Sequence, residues 1–254
     1  MQAATANLTG RTPTDTSNTV DFLWGSGGGL FGSYTVTGNN SGDFLDANST
    51  TSHHYAIFGG TGSDVIIYNK QDASISGGSQ GNPASWDTLA LFGNDSITLN
   101  TTNSVTKATA TDGISGGTTV SGLEILNISG YNVDSNGNPV INANGTVSQG
   151  TNSVTLHAND VLNMSSNTLG NLVSADSSFN QITNQAGVSS SDKVLMINGN
   201  SNSTVNLAEG NWTSVGTVQD SNGSHYSAFT HAGTSGGEAL VLINTDITHI
   251  VGHT

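Results

Sequence analysis

Short apolar segments alternate with clusters of Gly, Asn, Asp and Ser along the whole chain. The segments are rich in Val, Ile, Thr and Leu, and residues of this kind between turn-forming clusters are typical of β-strands. We therefore predict an all-β protein. The predicted strands are Ser33–Thr37, Val65–Tyr68, Thr88–Leu91, Ser96–Leu99, Leu123–Ile128, Ser153–Leu156, Val194–Ile197, Thr204–Leu207 and Leu240–Ile243.

Evidence for helices is weak, because the strong helix formers Glu, Lys, Arg and Gln are scarce. One short helix is predicted near Ala158–Leu162, where Asn159 or Asp160 could cap its first turn. Two Asp-Ser-Asn-Gly segments, Asp134–Gly137 and Asp220–Gly223, lie between extended segments. Both are predicted to be hairpin turns, since Asn and Gly adopt positive φ at low cost.

The spacing of glycines changes near residue 120. Glycine clusters are dense before that point, whereas the later part has spacing typical of ordinary hairpins. We predict an N-terminal cap or linker at 1–34, a Gly-rich region at 35–120 and a β-rich C-terminal region at 121–254. The last two regions could share one continuous sheet.

The composition limits the possible functions. Of 254 residues, 67 are Ser or Thr, 30 are Asn and 33 are Gly, and 18 acids face only four Lys or Arg. Four basic residues are too few for a nucleic-acid footprint or for attraction to an anionic membrane surface. No apolar run is long enough to predict a membrane-spanning helix. Because the chain has no Cys, a bound metal is the obvious source of extra stability.

An internal repeat lies in the Gly-rich region. The segment Ala56-Ile57-Phe58-Gly59-Gly60 is similar to Ser74-Ile75-Ser76-Gly77-Gly78, 18 residues later, and Ile57, Ile66 and Ile75 follow one another in steps of nine. A nine-residue unit made of a turn and a short strand would give 18 residues per two-strand coil. Such coils would stack on one another as in a solenoid.

The stretch from Gly59 to Ile67 fits the nonapeptide G-G-x-G-x-D-x-U-x at every fixed position, through Gly59, Gly60, Gly62, Asp64 and Ile66. The chain here resembles the calcium-binding repeats of RTX proteins, and the resemblance implies a parallel β-roll with calcium between successive turns. Calcium takes six to eight oxygen ligands, which Asp carboxylates and main-chain carbonyls supply. The alternative is an ordinary Gly-rich turn in which Asp64 caps its own loop.

Three further copies of the nonapeptide are degenerate. Gly42-Asp43 keeps the Gly-Asp pair, Gly77-Gly78 is followed by a displaced Asp87, and Asp95 belongs to a shortened version. One good copy with three poor ones implies one to three calcium ions. The candidate metal residues are Gly42, Asp43, Gly59, Gly60, Gly62, Asp64, Gly77, Gly78, Asp87 and Asp95.

The order of strands after Val120 resembles the C-terminal module of large bacterial adhesins and related proteins exported by type I secretion. The resemblance rests on three segments: Gly122–Gly130, Val154–Leu162 and Ala239–Ile247. It implies an uncleaved C-terminal secretion signal, recognition by a type I apparatus and folding outside the cell when calcium is available. The first residues lack the charged and apolar regions of a secretory signal peptide, which agrees with this expectation.

No catalytic constellation is predicted. The seven His lack metalloprotease spacing, no G-x-S-x-G motif occurs, and the three Glu are far apart. We predict a calcium-stabilised extracellular adhesin module on the bacterial cell surface or in a biofilm, and not an enzyme. The alternatives are a glycan- or surface-binding β-solenoid module and the accessory RTX domain of a secreted enzyme.

Overall fold

The computed structural model describes residues 5–7, 21–25, 32–38, 42–47, 53–78, 85–101, 108–111, 117–132, 134, 139–185, 187–208, 210–234 and 237–253. In this part of the chain, strands predominate and helices are few, so the all-β prediction is confirmed. The strands form two sheets, one of ten strands and one of nine.

The ten-stranded sheet has the order β1-β3-β5-β7-β11-β10-β9-β13-β15-β19. Its strands are β1 (Thr5–Asn7), β3 (Gly32–Thr37), β5 (His53–Gly60), β7 (Ser74–Gly78), β9 (Ser96–Thr101), β10 (Ala108–Thr111), β11 (Thr118–Ser121), β13 (Ser153–Leu156), β15 (Thr204–Leu207) and β19 (His249–Val251).

The nine-stranded sheet has the order β16-β17-β18-β14-β12-β8-β6-β4-β2. Its strands are β2 (Asp21–Gly25), β4 (Asp43–Ala47), β6 (Val65–Ile67), β8 (Thr88–Ala90), β12 (Ile125–Asn127), β14 (Lys193–Asn198), β16 (Trp212–Gln219), β17 (His225–Thr234) and β18 (Gly237–Asn244).

From β1 to β9, successive strands alternate between the two sheets, and from β1 to β8 strands two apart in this series pair in parallel. The predicted 18-residue offset is confirmed in the register of β5 and β7, where Ile57 pairs with Ile75 and Gly60 with Gly78. Ile66, nine residues from each isoleucine, lies in β6 of the opposite sheet. The repeat therefore corresponds to one passage through both sheets.

The sheets are mixed rather than wholly parallel. In the ten-stranded sheet, β10 pairs antiparallel with both β9 and β11. In the nine-stranded sheet, β17 pairs antiparallel with β16 and β18. Short connections favour antiparallel neighbours, because a parallel pair needs a long crossover. The prediction of parallel strands throughout residues 35–120 is therefore wrong at β10.

One apolar core lies between the sheets and continues across the predicted boundary near residue 120. Inward-facing side chains of both sheets contribute to it, including Leu45, Ile57, Ile66, Ile97 and Val154. Each alternates along its strand with an outward-facing polar or half-buried residue. Both sheets contain strands from before and after residue 120, so the two predicted regions share both sheets.

Two short α-helices follow β13. Helix α1 (Ala158–Met164) confirms the predicted helix, but its N-cap is His157, not Asn159 or Asp160. Helix α2 (Leu169–Ala175) and the 3₁₀ helix Ser177–Gln181 were not predicted. They cover the outer face of the nine-stranded sheet with a second apolar cluster that includes Leu172 and Phe179.

The predicted hairpin turn at Asp220–Gly223 is confirmed, since it joins the antiparallel strands β16 and β17. Its Gly223 has a φ of 90°, and the N–H of Gly223 donates to the carbonyl of Asp220. The other predicted turn, Asp134–Gly137, lies outside the described residues except for Asp134. Within the described part, no helix is long and apolar enough to cross a membrane.

Candidate functional site

Four buried carboxylates lie one above another where neighbouring strands of the nine-stranded sheet begin. They are Asp43, Asp64, Asp87 and Glu124, at or directly before the first residues of β4, β6, β8 and β12. The parallel register of these strands aligns the four residues although 21, 23 and 37 residues separate them in sequence. We refer to these four residues as the acidic stack.

Hydrogen bonds connect each member of the acidic stack to the next. The backbone N–H of Asp43 donates to Asp64 Oδ1 at 2.8 Å, and the N–H of Asp64 donates to Asp87 Oδ1 at 2.8 Å. The N–H of Asp87 donates to Glu124 Oε2 at 2.9 Å. The carboxylates of Asp64, Asp87 and Glu124 thus each accept the main-chain N–H of the preceding coil, and this satisfies a buried donor at each of these turns.

The stack ends at Glu124 in a carboxylate that is fully hydrogen-bonded. Glu124 Oε1 accepts the N–H of Ser166 at 3.1 Å and its hydroxyl at 2.6 Å. Lys193 Nζ donates to the carbonyl of Ser166 at 2.7 Å, which brings one of the few cations of the chain to this end. Burial raises the pKa of Glu124, although the hydrogen bonds and the charge of Lys193 oppose the rise.

Asp64, in contrast, has one oxygen without a partner. Its side chain is fully buried, and Oδ2 makes no hydrogen bond. Burial raises the pKa of Asp64 to about 6; the hydrogen bond from Asp43 opposes this rise and the negative charge of Asp43 adds to it. A buried carboxylate oxygen with no donor destabilises the ionised form and is rare in native proteins.

A column of glycines lies beside the acidic stack. A Cβ on Gly59 would overlap Asp64 Oδ2 and lie only 2.5 Å from the carbonyl oxygen of Gly77. A Cβ on Gly38 or Gly77 would likewise overlap the aspartate of its own turn and a glycine carbonyl of the next coil. Only glycine therefore fits at these positions. At Gly59, a carboxylate oxygen and a carbonyl oxygen, both acceptors, face the same small space.

The other predicted glycines have backbone roles in the same turns. Gly60 and Gly78 pair in register and have φ angles of 123° and 106°, a region that strongly favours glycine. A Cβ on Gly42 would lie 2.7 Å from the carbonyl oxygen of Ser63 in the next coil. Gly62 lies in the turn directly before Asp64. The nonapeptide glycines thus allow close approach of successive turns.

Asp95 does not join the acidic stack. It lies directly before β9 in the ten-stranded sheet, where the register places it beside Asn152 and then Ser203. The N–H of Asp95 donates to Asn152 Oδ1 at 2.9 Å, as the N–H of Asp43 does to Asp64. We refer to Asp95, Asn152 and Ser203 as the second stack.

Both buried members of the second stack are hydrogen-bonded. Asn152 Nδ2 donates to the carbonyl of Gly130 at 3.4 Å. Ser203 Oγ donates to the carbonyl of Ile128 at 2.9 Å and accepts the N–H of Asn200 at 3.0 Å. A Cβ on Gly150 would overlap the carbonyl oxygen of Gly93 and would lie 2.9 Å from Asn152 Nδ2. The second stack therefore also requires a glycine.

Calcium fits the chemistry of the acidic stack at Asp64. The unpartnered oxygen of Asp64 and the carbonyl of Gly77 are hard oxygen donors of the type that calcium takes. Among the described residues, no three His, Cys, Asp or Glu side chains cluster as a metal site. Main-chain carbonyls and water would therefore have to complete the coordination. A bound divalent cation would neutralise buried negative charge and attract both acceptors.

Glu124, Ser166 and Asn152 were not among the residues predicted to form a site. A sequence signal marks most positions of both stacks: a polar residue at or directly before a strand, with an inward-facing apolar residue two positions later. Asp64 precedes Ile66 in this way, Glu124 precedes Leu126, and Asn152 precedes Val154. This local pattern gives no information on which distant strands pair, and that pairing decides which of the positions stack.

Comparisons with known proteins give no further guide to function. No protein-family model, no curated protein and no solved structure matches this chain.

Proposed function

We propose that this chain is a calcium-stabilised extracellular module of a bacterial adhesin or related surface protein. The observation that carries the proposal is the buried, unpartnered Oδ2 of Asp64, inside a nonapeptide of the calcium-binding type. Asp64 and the glycine carbonyls of the adjacent turns would hold the ion. Its binding energy would add to the stability of a chain that has no disulfides.

The arrangement of the first strands supports a β-roll as the fold of this module. Strands β1 to β9 alternate between two sheets, and their parallel pairing repeats with an 18-residue offset at β5 and β7. In a β-roll of this kind, the turns between sheets stack and bring their oxygens together. The stacking of Asp43, Asp64 and Asp87 agrees with that proposal.

Net charge gives the calcium proposal a second support. The chain carries a formal charge of -14, and three of its aspartates lie in one buried column. Closely spaced buried carboxylates cannot all remain ionised without a compensating charge. Calcium outside the cell would supply that charge, so the module would be less stable before export and more stable after it.

Thermal unfolding in chelator and in millimolar calcium tests the proposal. Calcium should raise the Tm by mass action, whereas the same concentration of magnesium should raise it less, because magnesium prefers rigid octahedral sites and keeps its water. Asp64→Ala should reduce the calcium-dependent rise. Asp246→Ala is the control, since Asp246 is an exposed turn residue. Equal Tm values in chelator and calcium would refute the proposal.

We also propose that the C-terminal region carries the type I secretion signal. The support is the order of β12, β13 and β18, which follows the segments that resemble exported adhesins. Coexpression with a type I apparatus should place the full chain in the medium and leave a chain ending at residue 194 inside the cell. Export of the shortened chain at the full-length level would reject this part of the proposal.

The outer face of the ten-stranded sheet supports a second candidate function, glycan binding. Many of its described outward positions carry hydroxyl or amide groups, and the exposed ring of Phe58 (41 % exposed) could stack on a sugar. A glycan array with wild type and Phe58→Ala tests it, and no bound glycan would exclude it. The positions concerned are Ser74, Ser76, Ser96, Thr98, Thr119, Ser121, Ser153, Thr155, Thr204 and Asn206.

A further inference from the structure

The side chains of Asn152 and Asp64 occupy corresponding places in the two stacks. Each is fully buried, and each accepts on Oδ1 the N–H of the residue one coil earlier, Asp95 or Asp43. The backbone carbonyl of Asn152 accepts the N–H of Thr204 at 3.1 Å, and the backbone carbonyl of Asp64 accepts the N–H of Thr88 at 2.7 Å. Both donors are the first residues of neighbouring strands. These two hydrogen bonds to the main chain therefore correspond at the two sites.

The two sites differ in the second polar atom of the side chain. In Asn152 that atom is Nδ2, and it donates to the carbonyl of Gly130. In Asp64 it is Oδ2, which has no hydrogen-bond partner and faces the space that the carbonyl of Gly77 also faces. An N–H directed at a carbonyl is attractive, whereas two acceptors facing each other repel unless a positive group lies between them.

The orientation of the Asn152 amide follows from its neighbours. The N–H of Asp95 must point to an acceptor, which fixes the atom at 2.9 Å as Oδ1. The opposite atom is then the NH₂ group, and the Gly130 carbonyl is the acceptor beside it. A flipped amide would place two donors together on one side and two acceptors on the other.

We infer that the Asn152 amide compensates the Gly130 carbonyl in the second stack, as a bound cation would compensate the Gly77 carbonyl in the acidic stack. Position 152 is then a latent cation site, which the change Asn152→Asp would open. The converse change, Asp64→Asn, would make the acidic stack independent of calcium. The prediction for Asn152→Asp rests on the proposed calcium function. The prediction for Asp64→Asn in chelator does not, since it concerns only an amide that replaces an uncompensated carboxylate.

Thermal unfolding of the full chain at neutral pH, in chelator and in calcium chloride, tests the inference. In chelator, Asp64→Asn should melt roughly 3 °C or more above wild type, because its new N–H can bond the Gly77 carbonyl. Its calcium-dependent rise should be smaller than that of wild type. Asp64→Ala, which has neither the acceptor nor the new donor, should melt below Asp64→Asn.

Asn152→Asp should show the opposite behaviour. In chelator it should melt below wild type, because a second buried carboxylate oxygen then faces a carbonyl. Its rise in Tm with calcium should exceed that of wild type. Asp246→Asn, an exposed change of the same kind, should leave both Tm values within about 1 °C of wild type.

The outcomes separate the two proposals. If wild type lacks a calcium-dependent rise while Asp64→Asn still melts above it in chelator, the calcium function fails and the equivalence of the two side chains stands. If Asp64→Asn melts no higher than Asp64→Ala in chelator, the inference is overturned. It is also overturned at position 152 if folded Asn152→Asp gains no larger calcium response than wild type. Where Asn152→Asp fails to fold in calcium as well as in chelator, the latent site is likewise rejected.

Discussion

The acidic stack and the second stack share a backbone plan but differ in charge. In both, a residue before a strand accepts the N–H of the preceding coil, and a glycine lies close beside it. The second stack completes its hydrogen bonds with the Asn152 amide and the Ser203 hydroxyl. The acidic stack retains an unpartnered oxygen at Asp64. The same fold can thus bury a stacked amide and hydroxyl without a cation, whereas stacked buried carboxylates need compensation.

The largest loss of stability is expected when the glycine beside either stack is replaced by alanine. Gly59→Ala and Gly150→Ala should each lower the free energy of unfolding by about 3 kcal/mol, because the new Cβ would overlap main-chain or buried polar oxygens. Urea unfolding measures the loss. Gly93→Ala is the control: its φ is 77°, but no atom lies within 4 Å of its Cβ, so only the backbone cost of about 1 kcal/mol applies. Equal losses at all three positions would contradict steric packing as the cause.

A smaller loss of unfolding free energy is expected when Glu124, the fully hydrogen-bonded end of the acidic stack, is replaced. Glu124→Ala removes the acceptor of the Asp87 N–H and of both Ser166 donors. Burying those donors without partners should cost about 2–3 kcal/mol in urea unfolding, with or without calcium. Glu124→Gln keeps one acceptor oxygen and should lose less. A Glu124→Ala loss that calcium restores would mean that Glu124 belongs to the ion site.

Stability in chelator should depend on pH through the acidic stack. The pKa of Asp64 is raised from 3.8 to about 6, so the folded state binds the proton more tightly than the unfolded state. Lowering the pH from above 6 to below 4 should therefore stabilise the calcium-free protein, by at most about 3 kcal/mol. Urea midpoints across this range measure the change, and Asp64→Asn should abolish most of it.

A carboxylate outside both stacks should show the opposite pH dependence. Hydrogen bonds from Ser178 and Ser221 hold the pKa of Asp176 down at about 2, although partial burial acts to raise it. Its stabilising contribution is present above the usual pKa of 3.8 and is lost as the pH falls through 2. The calcium-free protein should therefore gain stability on mild acidification and lose part of it in stronger acid. A monotonic loss from pH 7 downward would contradict the assignment at Asp64.

The smallest effect is expected at Asp95. The backbone N–H of Asp95 donates to Asn152, and Asp95→Asn retains that donor and a side-chain oxygen that can accept. The free energy of unfolding should change by less than about 1 kcal/mol, and the calcium-dependent rise in Tm should match that of wild type. Thermal unfolding in chelator and calcium measures both. A reduced calcium response would place an ion in the second stack after all.

Local sequence signals predicted the strands and the repeat well. Val65–Tyr68 and Ser153–Leu156 are extended because β-branched residues alternate between core and surface, and this property is local. The Gly59-Gly60 and Gly77-Gly78 pairs indicated an 18-residue offset, which the β5–β7 register confirms. Helix α2 escaped prediction because Gly, Asn, Val and Ser, which are weak helix formers, make up four of the seven residues of Leu169–Ala175, and packing against the sheet stabilises it.

Local sequence patterns specify that this chain forms short strands, that glycine pairs recur and that Asp64 lies in a Gly-rich segment that resembles the calcium-binding nonapeptide. Which side chains meet depends instead on how distant strands pair. Glu124 joins the acidic stack across 37 residues, and Asp95 leaves it for Asn152 across 57. The physical reason is that strand register, set by packing of inward-facing side chains between the two sheets, aligns residues whatever the length of the connection between them.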